Sequence, residues 1–313
     1  MRYFFRHIAE WSWLTGILMS VVCLCLWIPS FLHAADGTVW HLVATMLMSV
    51  VNALLLMYLV YEAGITRTRQ SLPVFCYLLL TAASPALHTC WEGQLAVLVL
   101  AAVCLMLLNT YRSENAVQES FISTLLICAA VLVLPDMLFM LPVLWIGFAV
   151  QRAFNLRVAL ASVVAVCIFA LYLWLSVMLF PDAFGIVSLH DAFCRSWIGL
   201  QIPMLSAVSV LLLEVWGVLF AVWAMIGFSR ETNRAQSLVL LLLLILLVSM
   251  PMLLFPPLLF SSLQPVAYFA TAALAAYCFS TRQSVAAGVI FLLFILLNII
   301  NPVLTIVESY LTQ

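Results

Sequence analysis

From Phe121 to Val150 the chain carries no charged residue except Asp136, which stands in the break Leu134-Pro135-Asp136. As one helix this stretch would be about 45 Å long, against a hydrocarbon core of roughly 30 Å. It must tilt steeply or fold back. Pro135 removes a backbone N–H and clashes with the turn before it, and Asp136 would be costly in mid-bilayer, so the break belongs at a water surface. The stretch therefore predicts two short helices, about 120–134 and 137–151, with Asp136 at the outer face.

Composition places the rest of the chain in the same solvent. With 67% hydrophobic and 7% charged residues over 313 positions, and a mean hydropathy of +1.25, the apolar groups cannot all be kept inside a water-soluble domain. The expected fold class is an all-α polytopic membrane protein. Apolar runs near 12–31, 40–60, 72–88, 94–110, 120–134, 137–151, 158–180, 206–228, 237–256, 263–280 and 285–307 predict about eleven transmembrane helices. The longest loop, Pro181–Pro203, is too short for a soluble domain, so residues 1–313 read as a single transmembrane domain.

All eleven basic residues are arginines. With the N-terminus inside, Arg2, Arg6, Arg67, Arg69, Arg112, Arg152, Arg157, Arg230, Arg234 and Arg282 fall inside, and only Arg195 falls outside. Merging 120–151 into one span would invert every later loop. The count thus supports the fold-back and puts the C-terminus outside, in a bacterial inner membrane. Met1 to Arg6 and the apolar run after it resemble a secretion signal, yet the run is long for one and carries Trp11 and Trp27, as a retained span would. Cys90 and Cys194 lie in outer loops, where they form either one disulfide or two free thiols.

The first outer loop offers Asp36 with His33 and His41 nearby. A carboxylate at the membrane surface can serve as a base or hold a divalent metal, and Asp36-Gly37 also suits a turn that caps the next helix. His88, Glu92 and Asp136 join it on the predicted outer face. Arg67 and Arg69 can meet the phosphate of a lipid, although topology alone also accounts for them. Asn52 suits a hydrogen bond between helices. Glu214 lies near the middle of a span, where an ionised carboxylate costs at least about 2.5 kcal/mol. It is a candidate proton site or contact to a polar substrate, with a hydrogen bond to a group such as Asn298 as the structural alternative. Asn298 with Asn301-Pro302 predicts a polar break in the last span, and 189–200 has the spacing of a helix lying in the interface.

Gly64-Ile-Thr-Arg67-Thr-Arg69-Gln-Ser71-Leu-Pro73, then Ala83-Ser84-Pro85, the turn Tyr111-Arg112-Ser-Glu114 and the broken pair ending in Arg152-Ala-Phe-Asn-Leu-Arg157 resemble the order of elements in the GT-C superfamily of polyprenyl-phosphate-sugar glycosyltransferases. Leu134-Pro135, Leu144-Trp145-Ile146 and Arg152 to Arg157 also resemble a family of uncharacterised inner-membrane proteins of Bacteroidota. The likeness covers about 64–180, leaving 206–307 as a separate helical part. It implies handling of a polyprenyl-linked sugar or related envelope precursor at the periplasmic face, with Asp36 as catalytic acid and His88, Glu92 and Asp136 as its neighbours. GT-C enzymes usually have a longer first outer loop and often a soluble domain, and this chain has neither. A proton-coupled transporter or flippase using Glu214, or a non-catalytic subunit of an envelope protein complex, are the other expectations. Phosphate-loop, dinucleotide and zinc-protease motifs are absent, and no basic surface suits nucleic acid. The partners expected are membrane lipids.

Overall fold

A computed structural model describes residues 20–32, 39–65, 71–113, 115–179, 204–228, 232–254, 263–281 and 285–311. Among them the chain forms helices and no strand. In order these are α1 (Ile28–Leu32), α2 (Val39–Glu62), α3 (Leu72–Ala82), α4 (Trp91–Asn109), α5 (Val117–Val133), α6 (Met140–Val150), α7 (Leu156–Leu179), α8 (Met204–Gly227), α9 (Asn233–Leu254), α10 (Gln264–Thr281) and α11 (Val285–Leu311). Six of them, α2, α4, α7, α8, α9 and α11, are long and apolar enough to cross a membrane. The protein is a multi-pass helical membrane protein.

Two prolines shape the bundle by the same device. Leu134, before Pro135, is forced out of the helical region to φ −133°, ψ 97°, and Ser84, before Pro85, sits at φ −120°, ψ 88°. Each break is followed by a short 3-10 turn, Pro135–Phe139 and Pro85–Leu87. The run 72–88 is consequently no full span. Its helix stops after 11 residues, about 16 Å, half of the hydrocarbon thickness. Pro251 and Pro302, in contrast, lie inside continuous helices, and the break expected at Asn298–Pro302 is absent.

The fold-back of α5 and α6 rests on hydrogen bonds at both of its partners. Ser120 donates to the Val158 carbonyl and Thr124 to Ser162, so α5 and α7 run parallel and α6 must return between them. The Arg112 N–H just before α5 donates to the Gln151 carbonyl just after α6, which places both ends of the pair together. Glu62 and Arg234 form an ion pair of 3.1 Å at this same end. All four described arginines, Arg112, Arg152, Arg157 and Arg234, thus share one end of the bundle.

At the centre lie α3 and α10. Every residue of α3 is buried, as is every residue of α10 from Gln264 to Phe279. The α10 core is built largely from alanines, which lets α3, α4, α8 and α9 approach it closely. Phe220, Phe279, Phe291 and Phe294 then fill the angle between α8, α10 and α11 with edge-to-face contacts, ring centroids 4.9 to 5.6 Å apart.

Candidate functional site

At the end of the bundle away from the arginines, α3 stops short and leaves a corner lined by polar groups. Ending a helix inside a bundle strands carbonyls, and lipid offers no donor for them. Asn301 of α11 reaches across and donates to the Ala83 carbonyl at 2.8 Å. Ser84 meets the Gln264 amide at 3.2 Å and the Tyr268 hydroxyl at 3.0 Å, and Gln264 Nε2 also donates to Tyr268 at 2.7 Å. All of these side chains are buried.

His88 completes the corner just after the 3-10 turn. Its ring stacks on Trp27 at 3.9 Å with an interplanar angle of 12°, and Nδ1 shares a 2.6 Å hydrogen bond with Ser30 Oγ, the direction depending on the tautomer. Only 1% of His88 is exposed. Burial pushes the imidazole down to about 4, opposed in part by the nearby Thr81 and Ala82 backbone, which is not aligned for a hydrogen bond to Nε2. It is neutral at physiological pH and too weak a base to take a proton efficiently there. Two ring nitrogens on the stacked pair, His88 Nε2 and Trp27 Nε1, are enclosed and have no hydrogen-bond partner among the described residues. Buried polar atoms without a partner call for an explanation, and here two lie on adjacent, stacked rings. The corner therefore offers uncharged donors and acceptors rather than acid–base chemistry.

A second polar cluster lies deeper. Asn52 donates to the Gln94 backbone carbonyl at 2.8 Å and to its Oε1 at 3.0 Å, and the Tyr77 hydroxyl donates to the same Oε1 at 2.8 Å. The three are fully enclosed, so this cluster ties α2, α3 and α4 together. Asn52 thus makes the interhelical bond expected of it.

The other predicted site residues scatter. Glu92 lies half-buried in the first turn of α4, four residues from His88, where a carboxylate suits the positive end of the helix. Asp136 sits in the other proline corner, at the 3-10 turn between α5 and α6. Glu214 is half-buried on α8, its Oε1 enclosed without a partner among the described residues. The Asn298 amide donates to the Phe294 carbonyl of its own helix at 2.7 Å, and Glu214 Oε1 receives nothing from it. Asp36, His33, Arg67, Arg69 and Cys194 lie outside the described residues, as does the predicted interfacial helix at 189–200. Burial raises the Cys90 thiol to about 11, and its pairing with Cys194 falls outside the described residues. No group of three or more His, Cys, Asp or Glu side chains converges as a metal site among the described residues.

Sequence reasoning missed Trp27, Ser30, Ser84, Gln264 and Tyr268 as a group. A signal for three corner residues was present: Ser84, Gln264 and Asn301 each stand immediately before a proline. A polar residue before proline sits where a helix lacks a backbone donor, and there its side chain is most useful. No protein family, curated protein or solved structure matches the chain, so the geometry above is what bears on its function.

Proposed function

We propose that the protein binds the neutral, hydroxyl-rich headgroup of an amphiphile at the Ser84–His88 corner, the sugar of a polyprenyl-linked or related envelope precursor being the ligand class that fits best. The carrying observation is the pair of enclosed, unpartnered nitrogens His88 Nε2 and Trp27 Nε1 beside the Ser84–Gln264–Tyr268 hydrogen-bond cluster. A stacked aromatic face with neutral donors is a common way to hold a sugar ring, and an apolar bundle surface suits the lipid tail. The likeness to GT-C enzymes points to the same substrate class and to the periplasmic face of an inner membrane. Asp36, a few residues beyond Ser30 in sequence, is then the candidate catalytic acid.

The test is retention of a radiolabelled polyprenyl-phosphate sugar by the protein in proteoliposomes. His88→Phe keeps a ring on Trp27 and removes both nitrogens, so retention should fall roughly tenfold, the worth of one or two buried hydrogen bonds. Asp36→Asn should leave binding intact and abolish any sugar transfer. Undiminished retention in His88→Phe overturns the reading.

Glu214 supports a second reading, a proton-coupled transporter or flippase, because an enclosed carboxyl oxygen without a partner is expensive in a span. Glu214→Gln should then abolish pH-dependent lipid movement across the same vesicles while the neutral-pH fold is kept. Movement that persists in Glu214→Gln removes this reading.

A further inference from the structure

We propose that the arginine end of the bundle holds a binding site for a phosphate-bearing anion, built where the Tyr111-Arg112 turn, the Gln151-Arg152 turn and the start of α9 meet. An open cavity of about 110 Å³ lies there, lined by Tyr111, Arg152, Asn233, Gln236 and Ser237 over an apolar floor that includes Leu240. Arg152 is the only charged side chain among its described lining residues. Asn233 opens α9 and stands at its positive end, where Thr232 accepts from the Ala235 and Gln236 N–H groups. A cation and amide groups thus face one space, whose wall is fixed by the Gln236 amide donating to the Phe228 carbonyl and the Ser237 hydroxyl donating to the Arg234 carbonyl.

The backbone shows that these arginines are more than topological ballast. Three helices end at this face with a residue in the left-handed region: Gly64 at φ 72°, Arg112 at φ 58° and Arg152 at φ 58°. After α2 and after α6 the closing bonds are the same. Ile65 N–H donates to Val60 O and Gly64 N–H to Tyr61 O; likewise Ala153 N–H donates to Phe148 O and Arg152 N–H to Ala149 O. Glycine is the unstrained choice at such a position, and the chain uses it at residue 64. At residue 152 it accepts strain to keep an arginine. A positive charge for orientation could stand one residue away without strain, as Arg157 does within α7. The strained cation therefore points to a ligand that needs it at that place.

Two further features agree. The Arg112 guanidinium lies 5.4 Å from the centre of the Tyr111 ring, and the Arg112 N–H bonds to Gln151 O, so the two turns are locked to each other beside the cavity. Gln151, between lining residues Val150 and Arg152, is fully buried, and neither its amide nitrogen nor its oxygen has a partner among the described residues. That leaves a donor and an acceptor unused at the edge of the site. An anionic phospholipid headgroup and a free phosphate share the chemistry this site recognises.

The experiment compares full-length protein in nanodiscs of phosphatidylcholine, in the same nanodiscs with inorganic phosphate added, and in nanodiscs containing phosphatidylglycerol. Thermal melting and titrated affinity are both read. Wild type should be stabilised by at least one probe: by phosphatidylglycerol alone if the anion is a lipid, by inorganic phosphate as well if it is soluble. Arg152→Gly should melt higher than wild type without probe, because it relieves the strained turn, and should lose about tenfold in affinity for the effective probe. Arg157→Gln removes a cation from the same face outside the cavity and should keep the wild-type affinity. The proposal fails if neither probe stabilises wild type, if Arg152→Gly binds as wild type does, or if Arg157→Gln loses as much as Arg152→Gly.

Discussion

The central pair α3 and α10 and the outlying pair α5 and α7 show what burial means in this solvent. All of α3 and nearly all of α10 are enclosed, whereas only 17% of the apolar window of α7 is buried. Yet α7 is the most hydropathic of the six long helices, and the two least hydropathic, α4 and α9, are the most buried at 56% each. In water the ranking would run the other way. Lipid tails are as apolar as leucine, so a large apolar side chain gains little by moving inward, and the inside goes to residues that pack closely or need a polar partner. Alanines and the corner's hydrogen bonds hold α10, while Ser120, Thr124 and Ser162 make the seam of α7 with α5. The outer face of α7, with Leu160, Val164, Leu171 and Met178, is left to the lipid.

If small residues at the centre are what permit close approach, enlarging them is the severest test of the contrast. Ala270→Leu together with Ala273→Leu, one turn apart on a fully enclosed helix, should cost roughly 2 to 6 kcal/mol, the sum of two overpackings. Loss of the monodisperse peak in size-exclusion chromatography would follow. A double variant that melts like wild type would mean that α10 is not the packed axis of the bundle.

The centre should also be the part that responds to acid, because it holds the buried imidazole. The ordinary pKa of 6.5 falls to about 4 at His88, chiefly by burial. Folding therefore disfavours the protonated form: stability is complete above about 6.5 and is lost as the pH falls toward 4, by something of order 3 kcal/mol. Melting temperature measured from pH 7 to pH 4.5 should drop in wild type and drop much less in His88→Gln. A flat wild-type profile would place His88 in contact with water and undo the description of the corner.

Much of this contrast was legible in the sequence, and the reason it was only partial is physical. Spans and their order follow from apolar length, and the fold-back at Pro135 from a helix too long for the bilayer with an acid at its middle. Ser84-Pro85 breaks its helix in the same way, but the run 72–88 is short enough to span, so length raised no alarm. Which helix lies at the centre was hidden for the reason given above: hydropathy reports lipid exposure, and α10 is modest by that measure. Of the site, His88 was singled out from its residue type and place. Its partners Ser30 and Trp27, and the Gln264 and Tyr268 that bond to Ser84, come from segments up to about 240 residues apart, and pairing at that distance is set by packing that a single sequence does not display.

The deeper cluster sharpens the comparison at intermediate cost. Gln94→Leu removes the acceptor of the Tyr77 hydroxyl and one of two acceptors for Asn52, leaving Tyr77 enclosed without a partner. The loss should be about 1 to 3 kcal/mol, and Tyr77→Phe in the same background should restore part of it, because it removes the stranded donor. Failure of the second change to rescue the first would show that the cluster is held by packing and not by its hydrogen bonds.

The smallest effects are expected at α7, and they decide whether its outer face really belongs to the lipid. Thr124→Val keeps volume and deletes the bond to Ser162, which also accepts from Trp145 Nε1 at 2.8 Å. Interhelical bonds of this kind are worth roughly 0.6 kcal/mol in a membrane, because the separated helices also find partners. Leu171→Ala, on a residue 64% exposed, should cost still less, since it leaves no cavity and only exchanges one lipid contact for another. In a leucine packed inside the bundle the same truncation would cost about 2 to 5 kcal/mol. Melting curves in nanodiscs separate the two values easily. If Leu171→Ala shows the larger one, the face of α7 is covered by protein in the membrane, and the division between a packed centre and a lipid-facing edge must be redrawn around whatever covers it.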